Sequence, residues 1–230
     1  VFSFEEIILR HEDIVESILR TVRPLAYFEK YLEYGYYPIY KEEKSHIDYL
    51  LKNVNLTLEF DIPYANQIEL KYLIKLKQLL YLAGKETGCN VNISKFSNAI
   101  GVSRATVLNY LNYMKNARLL TLLYDSNNDD DCGRKPKKLY IHNPNLQNAV
   151  CLDNVDRTTL RKSFFLSQLC PIYRINYTER ADFLVDGKYE VDVCQEGEGK
   201  KKETSIIVME DMIERGKGNV IPLWLAGFTY

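Results

Sequence analysis

The sequence predicts an α+β protein with helices first, a winged helix-turn-helix in the middle and a mixed sheet at the end. Three observations carry this. Ser3 and Glu6 form a capping box at the start, Asn92 to His142 follows a helix-turn-helix with an attached hairpin, and alternating apolar runs replace helical spacing beyond Asp153. The expected division is a helical segment over 1–60, a winged helix over 61–150 and an α+β module over 151–230.

Each element has a local reason. Ser3 caps the first helix with Glu6 three residues on, and Phe2 is placed to pack on Ile7. Pro24 suits the first turn of a second helix, which carries Tyr27, Phe28, Tyr31 and Leu32 as an apolar stripe and ends at Gly35. Such a stripe serves packing more often than base stacking. Helices are expected over Ser45 to Leu58 and Ile68 to Gly84, the latter with Leu73, Leu76 and Leu80 on one face as the first helix of the winged unit. Ile93 to Ile100 forms the next helix, Gly101-Val102-Ser103 the turn, and Ser103 caps Arg104 to Ala117. Leu119 to Tyr124 and Lys138 to His142 make the wing. Thr158 to Leu169 reads as a helix with Leu160, Phe164, Phe165 and Leu169 inward. Strands follow over Ile172 to Tyr177, Ala181 to Val185, Tyr189 to Val193, Ser205 to Met209 and Val220 to Phe228, with turns at Asp186-Gly187 and Gly216-Lys217-Gly218.

Composition narrows the partners. The 230 residues carry a net charge of −1, so attraction to nucleic acid has to come from a local patch. The five cysteines, Cys89, Cys132, Cys151, Cys170 and Cys194, include no CxxC pair, which points to a reduced, cytoplasmic chain without a zinc ribbon or disulfide framework. No apolar run approaches the ~18 residues of a membrane span, so no membrane partner is expected.

The second helix of the helix-turn-helix turns Val107, Tyr110, Leu111 and Met114 inward, with Ala105, Asn109, Asn112 and Asn116 opposite. Asn can read adenine through a bidentate pair, and Ser103, Arg104 and Thr106 lie where such helices touch bases and phosphates. With Asn109, Asn112, Arg134, Lys135 and Lys137 these are the candidate DNA contacts. Against them stand Asp125, Asp129, Asp130 and Asp131 at the wing tip, which repel phosphate; Arg134, Lys135, Lys137 and Lys138 only partly offset them. DNA and a protein partner therefore both remain open. The same loop is no calcium site. Asp125, Asn127 and Asp129 alternate, but Asp130 stands at the required Gly position and Pro136 at the bidentate Glu position.

Catalytic chemistry is sparse. Gly197-Glu198-Gly199-Lys200 is no P-loop, because Cys194 occupies the first Gly position and Lys201 the Ser/Thr position. His11, His46 and His142 are too dispersed for a metal or triad motif. Asp182 and Glu190, near the ends of an expected hairpin, are a pair that could hold a hard cation for phosphodiester hydrolysis, but Val191-Asp192-Val193-Cys194 follows Glu190 without the Lys that would stabilise the developing charge.

The ordered set Phe28-Glu-Lys-Tyr-Leu-Glu-Tyr-Gly-Tyr-Tyr-Pro38, Ile93-Ser-Lys to Val102-Ser-Arg-Ala-Thr-Val-Leu-Asn-Tyr-Leu111, Lys138-Leu-Tyr-Ile-His-Asn143 and Ile221-Pro-Leu-Trp-Leu-Ala-Gly-Phe228 resembles the C-terminal region of bacterial AAA+ family P-loop ATPases of the Bacteroidetes type. The resemblance implies a helical lid, a winged helix and a terminal module of unknown function with a PD-(D/E)xK nuclease-like fold. It also implies an ATPase domain upstream of Val1 that would bind ATP and Mg, which fits the missing initiator Met and P-loop. No cofactor is expected in this portion, and the sequence reveals no dimer interface. On the nuclease-like signature Asp182 and Glu190 match the two metal-site acids. Lys162 stands where relatives have Glu, and Asp192-Val-Cys194 where they have Gly-Gly-Lys. The site is expected to be degenerate, with no catalytic residue and no bound metal. The rival expectations are a stand-alone winged-helix DNA-binding regulator and a weakly active metal-dependent nuclease.

Overall fold

In a computed structural model, described for residues 1–37, 46–126, 133–151, 155–195, 197 and 205–229, the chain is an α+β protein. In chain order come α1 (Phe4–Leu19), α2 (Pro24–Lys30), a π-helical turn (Tyr31–Gly35), α3 (His46–Leu56), a second π-helical turn (Thr57–Asp61), α4 (Ile62–Asn66), a short 3-10 turn (Leu70–Tyr72) and α5 (Leu73–Lys85). Then follow α6 (Ile93–Ile100), α7 (Arg104–Asn116), β1 (Leu120–Leu123), β2 (Lys138–Ile141), α8 (Pro144–Cys151), α9 (Arg157–Leu169), β3 (Ile175–Asn176), β4 (Phe183–Val185), β5 (Tyr189–Cys194), β6 (Ile207–Glu210), β7 (Val220–Pro222) and a 3-10 helix (Leu223–Phe228).

Contacts group these elements into two compact units, Val1–Tyr36 with Asp156–Tyr230, and Tyr37–Val155. This grouping does not follow the three consecutive segments read from the sequence. The first two helices join the terminal sheet, and the rest of the 1–60 segment joins the winged helix.

The first unit is built on a five-stranded sheet in the order β3-β4-β5-β6-β7, antiparallel from β3 to β5 and parallel from β5 to β7. Phe165 of α9 stacks on Phe183 of β4, with ring centroids 5.2 Å apart. The capping box forms as expected, Ser3 accepting from the Glu6 backbone while Glu6 accepts from that of Ser3. It aims Phe4 into the core, where its ring meets Phe165, Tyr173 and Tyr189 at about 6 Å. The β4–β5 turn uses left-handed backbone at Asp186 (φ 49°) and Gly187 (φ 67°), conformations that Asp and Gly tolerate best.

Two expected strands are corrected. The stretch from Ile172 pairs only over Ile175–Asn176, with Ile172 itself exposed. Val220 to Phe228 is a strand only to Pro222. Leu223, Trp224, Leu225 and Ala226 are all buried, a consecutive run that a strand's alternation cannot bury on one face and a 3-10 turn can. The apolar stripe of α2 is corrected in part as well: Phe28 and Leu32 are buried, but Tyr27 is 67% exposed.

The second unit packs α5, α6 and α7 around a core that includes Leu76, Leu79, Phe96, Ile100, Val107, Leu111 and Met114, closed by Leu120, Leu122, Leu139 and Ile141 from the wing. Antiparallel pairing sets Leu120 opposite Ile141 and Leu122 opposite Leu139, so one face of the hairpin is apolar. Gly101 ends α6 in the left-handed region (φ 66°), and its N–H donates to the Ser97 carbonyl. The Ser103 hydroxyl accepts from the Thr106 N–H at 3.0 Å, starting α7 where the sequence places it. Replacing Ser103 with Ala should therefore cost about 1 kcal/mol of stability, readable as a lower urea midpoint at unchanged slope.

Candidate functional site

Two places hold the residues singled out above. The first is the junction of β4 and β5 in the five-stranded sheet, beside α9. Lys162, one helical turn from Phe165 and Leu166, lies at the rim of the buried face of α9, and its ammonium reaches Asp182 Oδ1 at 2.6 Å. Both side chains are more than four-fifths buried. Asp182 Oδ2 accepts from the Val193 N–H at 3.1 Å, while Asp182's own N–H donates to Asp192 Oδ1 at 2.9 Å. Each aspartate thus holds a backbone amide across the gap from the start of β4 to β5. Glu190 stands away from this lock, opposite Leu184 in the strand register, and pairs with Arg180 at 3.2 Å. Cys194 is buried at the end of β5.

This geometry does not fit a hydrolytic metal centre. A hard cation needs oxygen ligands with little competition from fixed positive charge. Here an ammonium already neutralises Asp182, and a guanidinium faces Glu190. Among the described residues no group of three or more His, Cys, Asp or Glu side chains is arranged to hold a metal ion.

A further feature, not expected from the sequence, is a buried ion pair between Arg161 Nε and Asp211 Oδ2, with side chains 7% and 3% exposed. Its signal was present, because Arg161 lies three and four residues before Phe164 and Phe165, on the inward face of α9.

The second place is α7 with the wing. Of the eight DNA-contact candidates, Ser103, Arg104, Asn109, Lys135 and Lys137 are exposed and Thr106, Asn112 and Arg134 are half-buried. Ser103, Thr106, Asn112, Arg134 and Lys137 are engaged with other groups of the unit. Ser103 and Thr106 join each other through their hydroxyls at 2.8 Å, and Asn112 accepts from the Tyr124 hydroxyl at 3.3 Å. Arg134 lies over the Tyr124 ring, 6.0 Å from its centroid, with Lys115 also over that ring at 5.0 Å. Lys137 pairs with Asp125 at 3.1 Å. Asn127 and the acidic Asp129, Asp130 and Asp131, like Lys200, Lys201 and Lys202, lie outside the described residues. No helix among the described residues is long and apolar enough to cross a membrane.

Fold and site together define an α+β protein carrying a winged helix and a mixed sheet whose candidate acids, Asp182 and Glu190, are salt-bridged to cations. The chain belongs to the family described as a domain of unknown function, DUF8612, which matches residues 25–159. It is also similar to an uncharacterized protein of Methanocaldococcus jannaschii, MJ1637, at 23% identity over 95% of this chain. The chain spans about half the length of that curated relative. No solved structure matches it.

Proposed function

We propose that this chain is the non-catalytic portion of an AAA+ type ATP-binding protein, and that it couples ATP-driven motion of a separate ATPase domain to a protein partner. The observation that carries this reading is that both candidate metal-site acids and several of the groups suited to base reading are already engaged with other side chains. Lys162 and Arg180 occupy the two acids that would hold a metal, and Asn112, Arg134 and Lys137 are bonded or stacked within the winged unit. The sequence resemblance supports the ATPase context, and the relative's greater length is compatible with a further domain there. ATP and Mg belong to that domain in this reading. In this reading the protein works in the cytoplasm, in keeping with scattered cysteines that form no CxxC pair.

A second reading, sequence-tolerant DNA binding, is favoured by the exposure of Arg104, Asn109 and Lys135. Titrating labelled duplex DNA at two salt concentrations separates the two. The coupling reading expects no saturable binding at physiological salt. Binding that falls steeply with salt and weakens in Arg104→Ala or Lys135→Ala would replace it with the DNA reading. Incubation of linear or supercoiled DNA with Mg²⁺ or Mn²⁺ should yield no cleavage. Cleavage that disappears in Asp182→Ala would overturn the non-catalytic assignment.

A further inference from the structure

The first unit contains a cleft of about 470 Å³ between α1, α2, α9 and the C-terminal 3-10 helix. This is within the roughly 300–1,000 Å³ typical of small-molecule sites. Its base is recessed: Phe28, Phe164 and Trp224 line it and are each no more than 5% exposed. Tyr31 forms a wall, its ring edge-on to Phe164 at 5.7 Å. Tyr31 also begins the π-helical turn, and its ring lies against the Cα of Gly35, where an added Cβ would come within 2.6 Å of Tyr31 Cδ2. Such turns inside helices recur at functional sites because they redirect a side chain.

The polar groups of the cleft define what it can hold. No charged side chain lines it, so an ion entering would lose its hydration without a compensating charge. The Thr21 hydroxyl donates to the Ile18 carbonyl. Gln168 is held by two bonds, its Nε2 donating to Tyr31 Oη at 3.0 Å and to Ser167 Oγ at 3.2 Å. The Ser167 hydroxyl donates its own proton to the Phe164 carbonyl at 2.7 Å, so toward Gln168 it can only accept. That fixes which end of the amide is the NH₂ and leaves Oε1 as the acceptor Gln168 offers.

We propose that this cleft is a binding site for a small, uncharged, planar heterocycle that stacks among Tyr31, Phe164 and Trp224 and donates an N–H to Gln168 Oε1. Trp224 is the single tryptophan of the chain, so its fluorescence, excited selectively over tyrosine, reports on the cleft directly. Theophylline and caffeine are a matched pair of probes, both neutral and planar, of which only theophylline has an N–H. Theophylline should give a saturable change in Trp224 emission, and caffeine should bind about tenfold more weakly, the difference one hydrogen bond makes in a sheltered site. Gln168→Leu should bind the two equally. If that variant does not fold, Tyr31→Phe, which keeps the ring but removes the hydroxyl that holds the amide, should narrow the difference several-fold. No saturable change with either probe, or equal affinity of both for the unaltered protein, would overturn the proposal. So would tighter binding of N-acetylphenylalaninamide than of theophylline, which would make the cleft a seat for a partner's side chain.

Discussion

Replacing Asp211 with Ala should destabilise the protein by about 3–5 kcal/mol, the usual cost of leaving one partner of a buried ion pair uncompensated. Arg161 and Asp211 are almost wholly removed from water, and Arg161 Nη1 is already buried without a hydrogen-bond partner. The truncation strands the guanidinium where it can neither shed its proton nor reach solvent. It also removes the acceptor of the Met212 N–H, which Asp211 Oδ1 holds at 2.8 Å where Met212 adopts left-handed backbone (φ 59°). The pair need not be stabilising relative to an apolar replacement, so Arg161→Met combined with Asp211→Leu should recover most of the loss. Urea unfolding of the single and double variants checks both statements. A loss below about 1 kcal/mol in Asp211→Ala would mean that water reaches the guanidinium.

Local chemistry explains which elements were legible. Ser3 with Glu6, and Ser103 with the Gly101 turn before it, are short-range devices whose geometry is complete within a few residues, and both helices start where they should. The core face of α7 followed from spacing alone. Elements defined by distant contacts were harder to read. The run after Pro222 looks like a strand by residue type, but its burial on all sides is supplied by the rest of the unit. Helix α8 was overlooked although Asn143 followed by Pro144 is a capping signal: Asn143 Oδ1 accepts from the Leu146 N–H at 2.9 Å. The two π-helical turns carry no composition cue at all, since each adds one residue to an otherwise ordinary helical stretch.

At the candidate site, Lys162 and Asp182 were both singled out from the sequence, but their pairing was not legible there. The two lie twenty residues apart, on α9 and just before β4, and only the fold brings the ammonium to the carboxylate. Asp192, which appeared only as a departure from the motif, takes the Asp182 N–H. Asn112 and Arg134 read as surface polar groups because their common partner, Tyr124, comes from the wing rather than from α7.

The winged unit should lose up to about 3 kcal/mol of stability as pH falls from 6.5 to 4 through protonation of His142 alone. Burial, with a smaller contribution from the Arg118 charge, pushes the His142 pKa from 6.5 down to about 4. Its Nδ1 lies 3.2 Å from the Thr121 hydroxyl, at the base of the wing. The folded chain therefore keeps this imidazole neutral at pH values where the unfolded chain has already taken up a proton. Below the unfolded pKa, protons favour the unfolded state. The contribution is complete above about pH 6.5, declines through the interval and levels off below about pH 4, where both states are protonated. Carboxylates titrate in the same range, and burial lowers His46 as well. The measurement is consequently a difference between urea-unfolding free energies of the unaltered protein and His142→Gln, which keeps a polar side chain but cannot take up the proton. The stability of the unaltered protein relative to the variant should fall by about 3 kcal/mol between pH 7 and pH 4. A difference that stays constant would show that His142 titrates in the folded chain as it does in water, contrary to its burial beside Arg118.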